Sequence, residues 1–138
     1  MNIINIKNAS VEFFKMSLSK DNVFIGRALV KNSDGIFPLV CFNSFTLKFS
    51  QIKQSDVIDV EGCFKDYLYK DYNGVTHFVK LVIVTALSVN GICDEVSLEE
   101  KNEYEEIWKK IKKTYQVLDV VEFERFSNME GALEECCQ

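Results

Sequence analysis

Apolar and polar residues alternate from Ile58 onward. Ile58, Val60, Gly62 and Phe64 fall on one side of an extended chain, and Asp59, Glu61, Cys63 and Lys65 on the other. A period of two over this length predicts a half-buried β-strand. Tyr67 and Tyr69 continue the polar, outward set, and Tyr72 follows near a turn at Asn73-Gly74, residues that tolerate positive φ. The stretch from Phe78 to Ala86 is apolar at nearly every position, which predicts a returning strand covered on both faces, with Phe78 packed under the hairpin. The whole segment from Val57 to Ala86 reads as one long hairpin.

The same pattern yields the rest. Ile3 to Phe14 holds one or two short strands, and Ser19 to Asn22 a turn. Val23 to Val30 is a strand in which Gly26 predicts a bend or bulge. Asn32 to Gly35 is a second turn, and Ile36 to Phe42 the next strand. Ser44 to Ile52 places Phe45, Leu47, Phe49 and Ile52 in a short helical run. Five strands with a helix between the third and fourth predict a mainly β chain built as an OB-fold barrel. From Ser97 the period changes. Ser97 and Glu100 form a capping box, and Tyr104, Ile107, Trp108, Ile111, Tyr115 and Leu118 recur at three- and four-residue steps. That is a C-terminal amphipathic helix. Its stripe of Tyr104, Ile107, Trp108, Ile111 and Tyr115 must pack on the barrel or on another subunit. The expected division is an OB-fold domain over 1–91 and an acidic helical appendage over 92–138.

Charge sharpens this division. Residues 1–91 carry a net +2 and residues 92–138 a net −7, together the net −5 of the 138-residue chain. Binding of a polyanion responds to the local field of a groove rather than to the total, and an acidic C-terminal segment can compete for that groove. Cys41, Cys63, Cys93, Cys136 and Cys137 match no zinc spacing, and His77 is the one histidine. Neither a metal site nor a cofactor is expected. A Gly-rich phosphate loop and a nucleophile with an evident base are both missing, so an enzyme is not expected either. No apolar run reaches membrane-span length and the N-terminus has no signal-like apolar region, which predicts a cytoplasmic chain without a membrane partner.

The hairpin carries a resemblance. The run Ile58-x-Val60-Glu61-Gly62-x-Phe64, then Tyr69, Gly74, Phe78 and Val82-x-Val84, resembles the last hairpin of the bacterial-type single-stranded DNA-binding proteins, and Leu39 to Asn43 is similar to that family's third strand. The family's first-strand Gly-x-Leu motif and its third-strand tryptophan have no counterpart here. The resemblance implies an OB-fold, a homo-oligomer (dimer or tetramer), and single-stranded DNA as the partner, with RNA as the other candidate. It places Tyr69 and Phe42 at the family's base-stacking aromatics. A core role for Phe42 is the competing reading. Tyr67 and Tyr72 are further candidate platforms, and Lys65, Lys70, Lys48, Lys53 and Arg27 are candidate phosphate contacts. The alternative function is a protein–protein interaction module, since tyrosine and tryptophan also favour protein interfaces.

Overall fold

A computed structural model describes residues 3–114 and 116–126. Six strands and two helices follow in the order β1 (Ile3–Leu18), β2 (Phe24–Asn32), β3 (Gly35–Phe42), α1 (Ser44–Ser50), β4 (Ile58–Lys70), β5 (Thr76–Val89), β6 (Ile92–Glu95) and α2 (Leu98–Thr114). A further helical stretch, α3, covers 120–126. The sheet order is β3-β2-β1-β4-β5-β6, and a parallel pairing of Leu39 with Val82 and Val40 with Ile83 joins β3 to β5. That contact closes β1 to β5 into a ring. It is the five-stranded OB-fold barrel, with α1 between β3 and β4.

Closure requires β1 to serve two neighbours. Its first half pairs with β4 and its second half with β2, and the register shifts between Ile6 and Ala9 and again between Val11 and Phe13. Asn8 sits in the first irregularity at φ 53°, a left-handed conformation that asparagine tolerates. One bent strand therefore replaces the one or two short ones expected from the sequence.

Gly26 has a different role from the expected bend. The β2–β3 register runs through it without a shift. A side chain there would meet Cys41 Sγ at 2.5 Å and crowd Phe14 and Thr46. Glycine is needed for close packing under α1. Thr46 of α1 is buried and donates its hydroxyl to the Cys41 carbonyl at 3.1 Å, while Phe45 and Phe49 plug this end of the barrel. Burial also pushes the Cys41 thiol up to about 12, so it is an inert core group.

The sheet continues past the expected barrel. Asn90 and Gly91, at φ 51° and 88°, turn the chain so that β6 pairs with β5 from Val89–Ile92 to Ala86–Glu95. The expected domain division at residue 91 falls inside this turn. Ser97 then caps α2 by accepting the Glu100 amide at 3.2 Å, as the capping box predicts. Tyr104, Trp108 and Ile111 are buried in the same hydrophobic cluster as the barrel residues, together with Val117 and Leu118. Ile107 is half-buried beside them. The stripe thus packs on its own chain. Tyr115 lies outside the described residues, as do Cys136 and Cys137.

Candidate nucleic-acid interface

The β4–β5 hairpin outruns the barrel. β4 has 13 residues and β5 has 14, against 9 in β2 and 8 in β3. β5 pairs with β3 at Val82 and Ile83, and the hairpin beyond that pairing projects as an arm. The arm ends in a turn organised by Asp71. Its Oδ1 accepts the amides of Asn73 and Val75, both at 2.9 Å, while Gly74 takes the positive φ of 79°. The expected Asn-Gly turn is present, but Gly74 alone uses the left-handed region.

Alternation along the arm produces two faces. One carries Cys63, Lys65, Tyr67 and Tyr69 of β4 opposite Ile83, Leu81, Val79 and His77 of β5. The other carries Phe64, Asp66, Leu68 and Lys70 opposite Val82, Lys80, Phe78 and Thr76.

The first face is the one the sequence reading turns outward, and the C-terminal segment lies over it. Lys65 Nζ reaches Glu105 of α2 at 2.5 Å. Tyr67 packs against Trp108 with ring centroids 6.4 Å apart. Tyr69 stacks on His77 at 5.1 Å and makes a T-shaped contact with Phe123 in α3 at 6.1 Å. Desolvation raises the Tyr69 phenol above its ordinary value, the first cause ahead of the nearby Glu124 and Asp71 charges. On β2, Arg27 Nη1 donates to the Gln116 carbonyl at 3.1 Å. Phe42 is fully buried and meets Tyr104 edge-on at 5.2 Å. It is a core residue in this structure and offers no face to a base. The stacking reading of Phe42 is corrected by α2, which fills the space that a nucleobase would take.

The second face is open. Phe78 is 61% exposed, directly opposite Leu68 at 62%, and Tyr72 at the tip is 76% exposed. Lys70 and Lys80 are exposed on the same side, and Lys80 Nζ stands over the Phe64 ring at 5.5 Å. The expectation that Phe78 packs under the hairpin therefore fails. Packing would need barrel beneath it, and the arm has left the barrel at that point. Phe78, Leu68 and Lys80 were not among the sequence-derived candidates. Lys80 inside an otherwise apolar run was the available signal, because a charge there requires an exposed face.

Two of the expected cations lie elsewhere. Lys48 of α1 pairs with Asp94 of β6, and Lys53 lies in the loop before β4, at the opposite end of the hairpin from its tip. The structure does not bring them to the arm. Of the sequence-derived site residues, Lys70 and Tyr72 lie on or beside the open face, while Tyr67, Tyr69, Lys65, Arg27 and Phe42 lie under the C-terminal segment.

Among the described residues no helix is long and apolar enough to cross a membrane. No family model and no curated protein matches this chain. Solved structures that are similar to it include a single-stranded DNA-binding domain from Synechococcus sp., at 14% identity and TM-score 0.49, with 63% of this chain and 93% of that one covered. The mitochondrial single-stranded DNA-binding protein of S. cerevisiae is similar at 11% identity and TM-score 0.49, covering 65% and 95%. The second OB-fold domain of replication protein A from Methanococcus maripaludis is similar at 16% identity and TM-score 0.40, covering 69% and 86%.

Proposed function

We propose that this chain binds single-stranded DNA on the open face of its hairpin arm. The observation that carries the reading is the exposed set of Phe78, Leu68 and Tyr72 flanked by Lys70 and Lys80. Aromatic faces accept bases of any sequence, and the lysines attract the phosphates between them. The set stands on a two-stranded arm continuous with a closed barrel, so the platforms are presented by ordered backbone. Duplex DNA fits this face poorly, because its bases are stacked and paired inside the helix.

The covered face adds a second tier. Glu105 on Lys65 and the Gln116 carbonyl on Arg27 take the places that phosphates would take. Tyr67 and Tyr69 become platforms only where α2 and α3 have moved aside. The acidic C-terminal segment thus acts as an internal competitor. The family resemblance of the hairpin also supports a homo-oligomer. The α2 stripe is spent within the chain, so subunit contacts would use other surfaces, and light scattering on the intact protein measures them. An interaction module without nucleic-acid binding remains the alternative.

The test is a fluorescence titration of the intact protein with oligo-dT at low salt. A complex at micromolar protein that is weakened by Phe78→Ala supports the reading. Binding to oligo-U in preference to oligo-dT would move the ligand to RNA, and absence of any complex would leave the interaction module.

A further inference from the structure

The arm tip and α3 together assemble a donor set that the sequence spacing does not reveal. Asp71, His77 and Glu124 place one carboxylate oxygen, one imidazole nitrogen and a second carboxylate oxygen within 4.8 Å of one another. All three side chains are half-buried. They are six and forty-seven residues apart in sequence, which is why cysteine and histidine spacing gave no metal signal.

Asp71 and His77 are each held by something outside the set, and Glu124 is carried by a helix that is itself anchored. Asp71 Oδ1 is occupied by the Asn73 and Val75 amides, which turns Oδ2 toward His77 Nε2 at 2.7 Å. The His77 ring is stacked on Tyr69, with planes 23° apart. Glu124 comes from α3, whose first turn is capped by Asp119 accepting the Glu122 amide at 3.2 Å, and whose Phe123 leans on Tyr69. Outer-shell contacts of this kind fix ligand orientation in metal sites. A cation between the two carboxylates would offset their mutual repulsion.

We infer that Asp71, His77 and Glu124 form a divalent-metal site, with zinc as the fitting ion, that ties α3 to the tip of the hairpin arm. One imidazole and two carboxylates are a donor set that suits zinc, with a fourth position left for water. Tetrahedral zinc–ligand bonds of about 2.0–2.2 Å put ligand atoms roughly 3.3–3.6 Å apart. Zinc would therefore replace the Asp71–His77 hydrogen bond, and those two atoms would separate from 2.7 Å to admit it. Magnesium and calcium prefer all-oxygen shells, so an imidazole counts against them. The bound ion would clamp the C-terminal cover over Tyr69.

The experiment is calorimetric titration of the full chain with zinc alone at pH 7.5. The background carries Cys63→Ser, Cys93→Ser, Cys136→Ser and Cys137→Ser, which removes competing thiolates. One zinc per chain is expected, unaffected by excess magnesium. His77→Ala and Glu124→Gln should each lower the affinity by about tenfold or more, the lower bound set by the effect of losing even an outer-shell partner. Unchanged near-ultraviolet circular dichroism in these variants would show that the arm and barrel persist. Absence of zinc binding in the serine background would overturn the site, and so would full affinity in His77→Ala. The readout needs no nucleic acid, so its failure leaves the DNA reading untouched, and failure of the DNA reading leaves the site untouched.

Discussion

The two faces of the β4–β5 arm share one backbone and one alternating sequence, and they meet opposite fates. Lys65, Tyr67 and Tyr69 point away from the barrel axis and are covered by α2 and α3. Leu68 and Phe78 continue the side that faces the core farther down, where Ile58 and Val60 are buried, and yet they are open to solvent. Alternation assigns residues to two sides. What covers each side is decided by elements far away in sequence. The arm passes the end of the barrel, so its inner side loses its cover, while a helix forty residues downstream supplies cover to its outer side. The apolar face left open to solvent is the one the alternation had labelled interior.

The largest expected effect falls on the covered side. Trp108 of α2 is buried and packs against Tyr67 of the arm. Trp108→Ala should cost about 3–5 kcal/mol by urea denaturation, as for other large aromatic truncations in a core. A cost below about 0.5 kcal/mol, the level of an ordinary surface change, would mean that α2 is not docked there.

Alkaline stability probes the same contact. Burial, with a smaller contribution from Glu100, pushes Tyr104 up to about 12 from an ordinary 10.0. The folded state holds that proton while the unfolded chain releases it near the ordinary value. The resulting stability is present below pH 10 and is lost as pH rises toward 12. Cys41, raised by burial, adds a loss of the same sign over a window that opens nearer pH 9. Denaturation midpoints should be flat up to about pH 9 and fall above it. Tyr104→Phe should recover part of the loss above pH 10.

Binding should separate the two faces. One stacking platform is worth about 1–3 kcal/mol, so Phe78→Ala should weaken oligo-dT binding by about tenfold or more. Tyr69→Ala should do less in the intact chain, because Phe123 and His77 already pack against its ring. Ending the chain at Leu118 removes Phe123 and a net charge of −5. That variant should bind oligo-dT more tightly at low salt, and Tyr69→Ala should then become costly. Equal effects of Tyr69→Ala in both chains would erase the distinction between covered and open tyrosines. The smallest effect is electrostatic. Lys80→Ala should flatten the slope of log K against log salt by about 0.7, one single-strand phosphate contact.

Much of the fold was legible in the sequence. Period two at Ile58 to Lys65, the turns at Asn32 to Gly35 and Asn73-Gly74, and the capping box at Ser97 each specify local structure through local chemistry, and the barrel order followed from them. β6 was missed because four residues, Ile92 to Glu95, are too short for a period to register, although Asn90-Gly91 was a turn signal. The site was legible only in part. Lys70 and Tyr72, both candidates from the sequence, stand exposed near the end of the arm. Phe42 and Phe78 exchanged roles, because the exposure of each depends on α2 and on arm length rather than on its own neighbours. Strand lengths held some of this information, since a hairpin of 13 and 14 residues cannot end level with strands of 9 and 8.

The central claim is that an exposed aromatic face on the hairpin arm holds single-stranded DNA. Its most direct test is the titration of intact protein and of Phe78→Ala with oligo-dT at low salt, followed by the fluorescence of Trp108 and the tyrosines. The account predicts a complex at micromolar protein and a loss of about tenfold or more in the variant, with its circular dichroism unchanged. No complex with the intact protein, or equal affinity for both proteins, would contradict it.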